Sequence, residues 1–420
     1  MVSENSYVLK KFHPEILREY DIRGIVDKNL DINTAYSLGR AFGHLIYINH
    51  HNKKIAVGYD GRLTSPKLHE ALCVGLIESG INTFSIGICP TPMAYFSHYF
   101  LNTDAVIMIT GSHNPPEYNG FKMVLDKKSF YAENIKNLQS LIESNSIKKR
   151  KGSLNNVDVI SHYVDRNLRN INLSKKMKIA WDIGNGAVGT VIDKFLEKLD
   201  KAEHIVINKE VDGTFPNHHP DPTVPKNMEQ LIDTVKKNSC DIGIAFDGDG
   251  DRLGVIDNKG SIVWPDQYML LLSNEISKLY QNPKIIMDVK SSKVFFDEIK
   301  KIGCEPLMYR TGHSPIKEKM KEIKSPLSGE MSGHVCYSDD FYGYDDAIYV
   351  GLRLLRILSK ESSSLNQLIS QYPKTFSTPE IRIDVDEARK FKIIDEIKYR
   401  LQNSEKDIID IDGIRVQKNN

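Results

Sequence analysis

Short apolar runs recur along this chain, and most of them end abruptly in polar, glycine-rich segments. Residues 54–59, 81–86, 104–109, 178–182, 241–246 and 284–289 each have the length and composition of a buried strand. Helical periodicity follows or intervenes at 67–79, 188–199 and 345–358. Strands alternating with helices point to an α/β fold. In open α/β sheets ligands bind beyond the carboxyl ends of strands, so the loops after these runs are where chemistry is expected.

At 420 residues the chain is too long for one core. The pattern divides into three tandem mixed α/β domains, at 1–152, 153–256 and 257–374, with a basic connection at 147–152 as the first boundary. Residues 375–420 read differently. A strand is expected over 378–385, Phe391, Ile394, Ile397 and Leu401 mark one helix face, and 412–420 looks like a strand only begun. A tail of about forty-five residues is marginal for a core of its own, so it is expected to be an incomplete C-terminal α+β domain.

Charge is nearly balanced, 56 Lys and Arg against 55 Asp and Glu, with no long block of one sign. This argues against nucleic acid or an acidic membrane surface as partner. The five cysteines are scattered without CxxC spacing, which excludes a zinc site and a disulfide framework of the usual kinds. With no signal pattern and no apolar stretch near 18 residues, a cytoplasmic protein is expected.

Two loops carry the strongest chemical signal. Residues 110–122, T-G-S-H-N-P-P-E-Y-N-G-F-K, follow the run 104–109 and present Ser112 at a strand end, flanked by His113, Asn114 and Lys122. A proline-containing β-turn is the plainer alternative for that segment taken alone. Residues 247–252, D-G-D-G-D-R, place Asp247, Asp249 and Asp251 at alternate positions on a tight glycine loop. Carboxylates so spaced converge on one cation, and an all-oxygen site of this size suits Mg²⁺. An EF-hand calcium loop fails here, because its required glycine is Arg252 and its closing glutamate is Asn258.

Residues 182–189, D-I-G-N-G-A-V-G, fit the order of a dinucleotide fingerprint and keep a nicotinamide-dependent oxidoreductase as a remote alternative. The acidic residue expected about 20 positions on has no clean candidate, so close packing is the better account of these glycines. Three further segments supply substrate-type groups: Tyr20 and Arg23 in 18–24, His313 in 310–315, and Glu330, Ser332 and His334 in 328–334.

Taken in order, T-G-S-H-N-P-P-E-Y-N-G-F-K, D-G-D-G-D-R and G-E-M-S-G-H resemble the active-serine, metal and sugar loops of the α-D-phosphohexomutases. E-Y-D-I-R-G, D-G-T-F-P-N-H-H-P-D-P (212–222) and D-F-Y-G-Y-D-D (340–346) extend the resemblance to about residue 416, in the form of the bacterial phosphomannomutase/phosphoglucomutase branch. The resemblance implies interconversion of hexose 6- and 1-phosphates through a phosphoserine at Ser112 and a hexose 1,6-bisphosphate intermediate. It implies Mg²⁺ held by Asp247, Asp249, Asp251 and the phosphate on Ser112, with Arg252 positioning the transferring group. Lys122, His313 and His334 are implied to move the hydroxyl proton, with acid and base unassigned among them. Glu330 and Ser332 are implied to hold the sugar 3- and 4-hydroxyls, with His334 beside them, and Tyr20, Arg23 and Lys290 to line the cleft. The expected partners are small sugar phosphates, on a monomer or alternatively a dimer.

Family members continue into an Arg-x-Ser-Asn-Thr loop that grips the second phosphate, and this sequence has none. The alternative is therefore a truncated member with little mutase activity and residual phosphatase action.

Overall fold

The structure is a computed structural model that describes residues 7–144, 146–375, 381, 383, 385–386, 389–402 and 407–417. The first sheet contains β1 (Ile22–Ile25), β2 (Lys54–Tyr59), β3 (Asn82–Ile88), β4 (Ala105–Ile109), β5 (Tyr118–Leu125), β6 (Lys128–Ser129) and β7 (Ser153–Asn156). Its order is β1-β5-β4-β2-β3-β7, with β6 alongside β5. Every residue of β4 is buried, as its unbroken apolar sequence requires of a central strand covered on both faces.

The second sheet holds β8 (Met177–Asp182), β9 (Ala202–Ile207), β10 (Ile242–Phe246), β11 (Leu253–Asp257) and β12 (Ile262–Val263), in the order β12-β11-β10-β8-β9. The third holds β13 (Lys284–Asp288), β14 (Glu305–Tyr309), β15 (Leu327–Gly329) and β16 (Val335–Tyr337), in the order β14-β13-β15-β16.

One arrangement occurs three times. Two parallel strands are joined by a third beside the first, and a fourth returns antiparallel next to the third: β3-β2-β4-β5, β9-β8-β10-β11 and β14-β13-β15-β16. The turn between the third and fourth strands is the serine loop, the metal loop and the sugar loop in turn. The three loops are topologically equivalent, although no sequence identity relates them.

An apolar core runs without interruption from Ala56 to Leu365 and takes residues from all three sheets. A second cluster fills the other face of the first sheet, beneath helices Ile32–Asn49 and Ser65–Glu78. Shared burial holds the sheets, and so their loops, in fixed relation. The sheets reach past two expected boundaries, since β7 follows residue 152 and β12 follows residue 256.

Two local expectations change. The segment 188–199 is not one helix but a 3₁₀ turn, Ala187–Thr190, and a short helix, Ile192–Leu196. The helix expected over 67–79 begins at Ser65, with Pro66 in the first turn where its missing N–H costs nothing.

The expected strand over 378–385 lies largely outside the described residues, as does the side chain of Phe391. The helix expected after it is present as Lys390–Gln402. The segment read as a strand only begun is a two-residue strand, β18 (Arg415–Val416), paired with β17 (Ile408–Ile409). This hairpin docks on the third sheet. Arg415 donates to the carbonyls of Val289 and Ser291 at 2.6 and 2.5 Å, and Asp412 accepts from the Thr311 amide at 2.9 Å. No helix among the described residues is long and apolar enough to cross a membrane.

Candidate active site

Ser112 sits at the tip of the loop after β4 with φ +51°, a left-handed conformation uncommon for serine. Its side chain is nearly buried, and its Oγ lies 3.1 Å from Asp247 Oδ2 and 3.3 Å from His113 Nδ1. The loop is held by an arginine that no motif in the sequence marks. Arg62 is 1% exposed, and its guanidinium donates to the carbonyls of Ser112 (2.8 Å), Asn114 (2.6 Å), Pro115 (2.6 Å) and Tyr118 (3.0 Å). Asp60 anchors that guanidinium at 3.1 Å and also accepts from the Gly111 amide. Arg23 adds a bond to Asn114 Oδ1 at 2.6 Å. The one available signal for Arg62 was its place, just past the carboxyl end of β2.

The metal loop meets this serine face to face. Asp247, Asp249 and Asp251 are fully buried, and their oxygens lie within 4.8 Å of one another. Asp247 Oδ1 accepts from the backbone of Asp251 and Arg252. Thr91 binds Asp249 through its hydroxyl at 2.5 Å and through its amide to the Asp249 carbonyl. Lys122 Nζ bridges Asp249 and Asp251 at 2.6 and 2.5 Å. Burial opposes ionisation of all three carboxylates. It pushes Asp247 well above the usual range with help from its two neighbours, whereas Lys122 and His334 overcome it at Asp251, which stays well below. Burial likewise opposes the Lys122 charge, but Asp249 and Asp251 raise its pKa above the ordinary value.

Asp249 Oδ1 is buried without a hydrogen-bond donor. A wholly buried carboxylate oxygen with no partner is costly, and a divalent cation would satisfy it. Three convergent carboxylates with an unfilled oxygen, all hard donors, fit a small divalent ion such as Mg²⁺.

The sugar loop completes the cleft. His334 lies with Nε2 3.3 Å from Asp251 Oδ1 and Nδ1 3.0 Å from Glu330 Oε2. Burial lowers its pKa, but Asp251 outweighs that and lifts it to about 9. Arg252 Nε stands 3.3 Å from the same Nε2 and 3.8 Å from Asp247 Oδ2, so these carboxylates hold two cations together. Glu330 Oε1 accepts from the Gly312 amide at 2.6 Å, and Ser332 Oγ lies 2.9 Å from His334 Nδ1.

His313 packs 5.2 Å from the His334 ring and 6.3 Å from Tyr20. Burial, then Lys317, drives its pKa well below the ordinary value and leaves it neutral, although Asp345 Oδ2 lies 3.4 Å from Nδ1. Tyr20 reaches across from the first unit and donates to the Thr311 carbonyl at 2.8 Å. Lys290, two residues past β13, is exposed.

The 182–189 loop has another use. An added Cβ on Gly186 would lie 2.8 Å from the Gly248 carbonyl oxygen, and one on Gly189 would lie 2.3 Å from that of Lys209. Ala187 donates its amide to the Gly248 carbonyl at 2.9 Å. These glycines bring two backbones together behind the metal loop, which removes the basis for a dinucleotide site.

Models of the phosphoglucomutase/phosphomannomutase family match three consecutive stretches: alpha/beta/alpha domain I over residues 14–148, domain II over 160–260 and domain III over 264–376. Phosphomannomutase/phosphoglucomutase of Pseudomonas putida is 43% identical over 401 residues, covering 96% of this chain and 86% of the relative. Phosphoglucomutase of Neisseria meningitidis is 40% identical over 407 residues, covering 96% and 88%. The crystal structure of a phosphoglucomutase/phosphomannomutase family protein from Burkholderia thailandensis matches with a TM-score of 0.90 at 38% identity, covering 97% of this chain and 89% of that one.

Proposed function

The chain belongs to the α-D-phosphohexomutase family, and from that footing we propose that Ser112 carries the phosphoryl group that this enzyme moves between hexose 6- and 1-positions. The substrates taken from its relatives' names are mannose and glucose phosphates. In the forward half-reaction a sugar hydroxyl oxygen attacks phosphoserine. The new sugar O–P bond forms, the Ser112 Oγ–P bond breaks, and the hydroxyl proton passes to a neighbouring base. The 1,6-bisphosphate then turns over in the cleft and returns its other phosphoryl group to Ser112.

Asp247, Asp249 and Asp251, with the Ser112 phosphate, would hold Mg²⁺, which neutralises charge on the transferring group. Arg252 supplies a fixed positive charge beside Asp247, and Arg62 keeps the serine loop from moving as charge shifts. Of the three candidates for moving the hydroxyl proton, His334, lifted to about 9, stands nearest to neutrality, whereas burial weakens His313 as a base and Asp249 and Asp251 hold Lys122 to its proton. Glu330 and Ser332 would take adjacent sugar hydroxyls, and Tyr20, Arg23 and Lys290 would line the cleft.

The observation that carries this reading is a buried serine hydroxyl 3.1 Å from one of three converging carboxylates, two of which, Asp249 and Asp251, retain an oxygen without a hydrogen-bond partner. A coupled assay with mannose 1-phosphate or glucose 1-phosphate, Mg²⁺ and a hexose 1,6-bisphosphate activator should show turnover. Intact-mass measurement should find one phosphate that is missing in Ser112→Ala, with activity reduced on the order of 10⁴-fold or more, as for other covalent nucleophiles. Unchanged turnover in Ser112→Ala would sink the proposal.

A further inference from the structure

A cavity of about 480 Å³ lies between the first and third sheets, and the reaction above makes no use of it. Its walls come from helix Thr91–Phe100, β6, helix His313–Ile323 and the loop at 338–344. The volume falls within the range of about 300–1,000 Å³ typical of small-molecule sites.

The lining is strongly cationic. Lys127, Lys128, Lys321 and Lys324 border the cavity, all are exposed, and none has an ion pair among the described residues. A fifth, Lys317, is already paired with Asp345 at 2.9 Å. The one carboxylate in the lining, Glu318, is taken by the Tyr131 hydroxyl at 2.6 Å. Four unneutralised ammonium groups around one concavity repel each other until an anion arrives, and lysine binds phosphate as a point charge.

The remaining wall is aromatic. Tyr95, Tyr99, Tyr342 and Tyr344 line it, and Lys127 Nζ already lies 5.1 Å above the Tyr99 ring. Tyr99 and Tyr342 pack on one another at 4.4 Å and Tyr342 and Tyr344 stack at 5.8 Å, so a flat ring meets this wall by extending an aromatic cluster, with its substituents among the lysines. A second hexose phosphate fits poorly, because no free carboxylate is present to take its vicinal hydroxyls. We propose that this cavity binds a nucleotide, with an aromatic base against the tyrosines and phosphates on the lysines.

Two connections lead from the cavity to the catalytic loops. Helix Thr91–Phe100, which supplies Tyr95 and Tyr99, begins with the Thr91 hydroxyl that holds Asp249. Lys317, at the cavity wall, pairs with the same Asp345 that faces His313.

Calorimetric titration of the full chain with ADP, without Mg²⁺, tests the site directly and needs no turnover. One ADP should bind per chain, equally well when glucose 1-phosphate saturates the active site. Pyrophosphate should bind at least tenfold more weakly. The Lys127→Glu/Lys321→Glu double variant should lose at least tenfold in ADP affinity while keeping basal mutase activity, which also reports that it folds. No binding, displacement by glucose 1-phosphate, or unchanged affinity in the double variant would overturn the proposal. Equal binding of pyrophosphate and ADP would overturn the aromatic half of it, and with it the nucleotide.

Discussion

The loops after β8 and β10 leave neighbouring parallel strands of the second sheet, and each opens on an aspartate followed by glycines. Their local grammar is alike, and their polar atoms are treated differently. Asp182 has its carboxylate filled from within: Oδ1 accepts from the Gly184 amide and Asn208, and Oδ2 lies 2.9 Å from His218 Nε2. In the other loop Asp249 Oδ1 is left without a donor, and the charges opposing the three aspartates, Lys122, Arg252 and His334, converge from three separate loops or strands. Glycine spacing shapes a backbone, whereas the unfilled oxygens decide whether a loop asks for a ligand.

The largest expected effect tests that distinction. Asp249→Asn should leave the fold intact and lower kcat by on the order of 10³-fold, since it removes charge where phosphoryl transfer needs a metal. Calorimetric titration with Mg²⁺ should show the matching loss of affinity. An Asp249→Asn enzyme within tenfold of the parent would erase the contrast between the loops.

Next in size is Gly248→Ala. Its Cβ would lie 2.6 Å from the Ser112 carbonyl oxygen, a backbone atom that Arg62 also holds. Moving the serine by a fraction of an ångström should cost roughly 10- to 100-fold in kcat, with Mg²⁺ affinity nearly unchanged. Steady-state kinetics beside the metal titration separates the two readouts, and an equal fall in both would mean that the whole metal loop had shifted.

The smallest effect on activity belongs to Asp182→Asn, which should leave kcat within a few-fold and lower stability by roughly 1–3 kcal/mol. Its pH dependence identifies the cause. Burial lowers the His218 pKa, but Asp182 more than compensates and holds it above the ordinary 6.5. The stabilisation is therefore complete below about pH 6.5 and is lost as pH rises through the raised folded value. Urea denaturation of both proteins should show their difference shrinking as pH increases, and a constant difference would rule out the His218 charge as its source.

Much of the site was legible because its signals are local. Ser112 after an apolar run, and three aspartates on a glycine loop, are patterns within a dozen residues. Arg62 was not, since an arginine in a turn ordinarily faces water. It is buried here because four carbonyls of another loop, and the Phe215 ring 5.2 Å away, close around it. For Lys122 the family resemblance implied a part in moving the hydroxyl proton. Its bridge between Asp249 and Asp251 joins residues more than 120 positions apart and exists only in three dimensions. The threefold repetition of strand order was also hidden, because order follows from which strands pair, and many apolar sequences satisfy one pairing.

By itself the sequence determined the elements and the chemistry on offer: apolar runs that must be buried, loops that must be polar, and the residue types for a phosphate carrier and an oxygen-lined cation site. Tertiary structure alone decided which of those groups meet. Hydrogen-bond satisfaction and burial are collective, so whether an aspartate is an anchor, like Asp182, or a ligand in waiting, like Asp249, depends on neighbours that the chain supplies from far away.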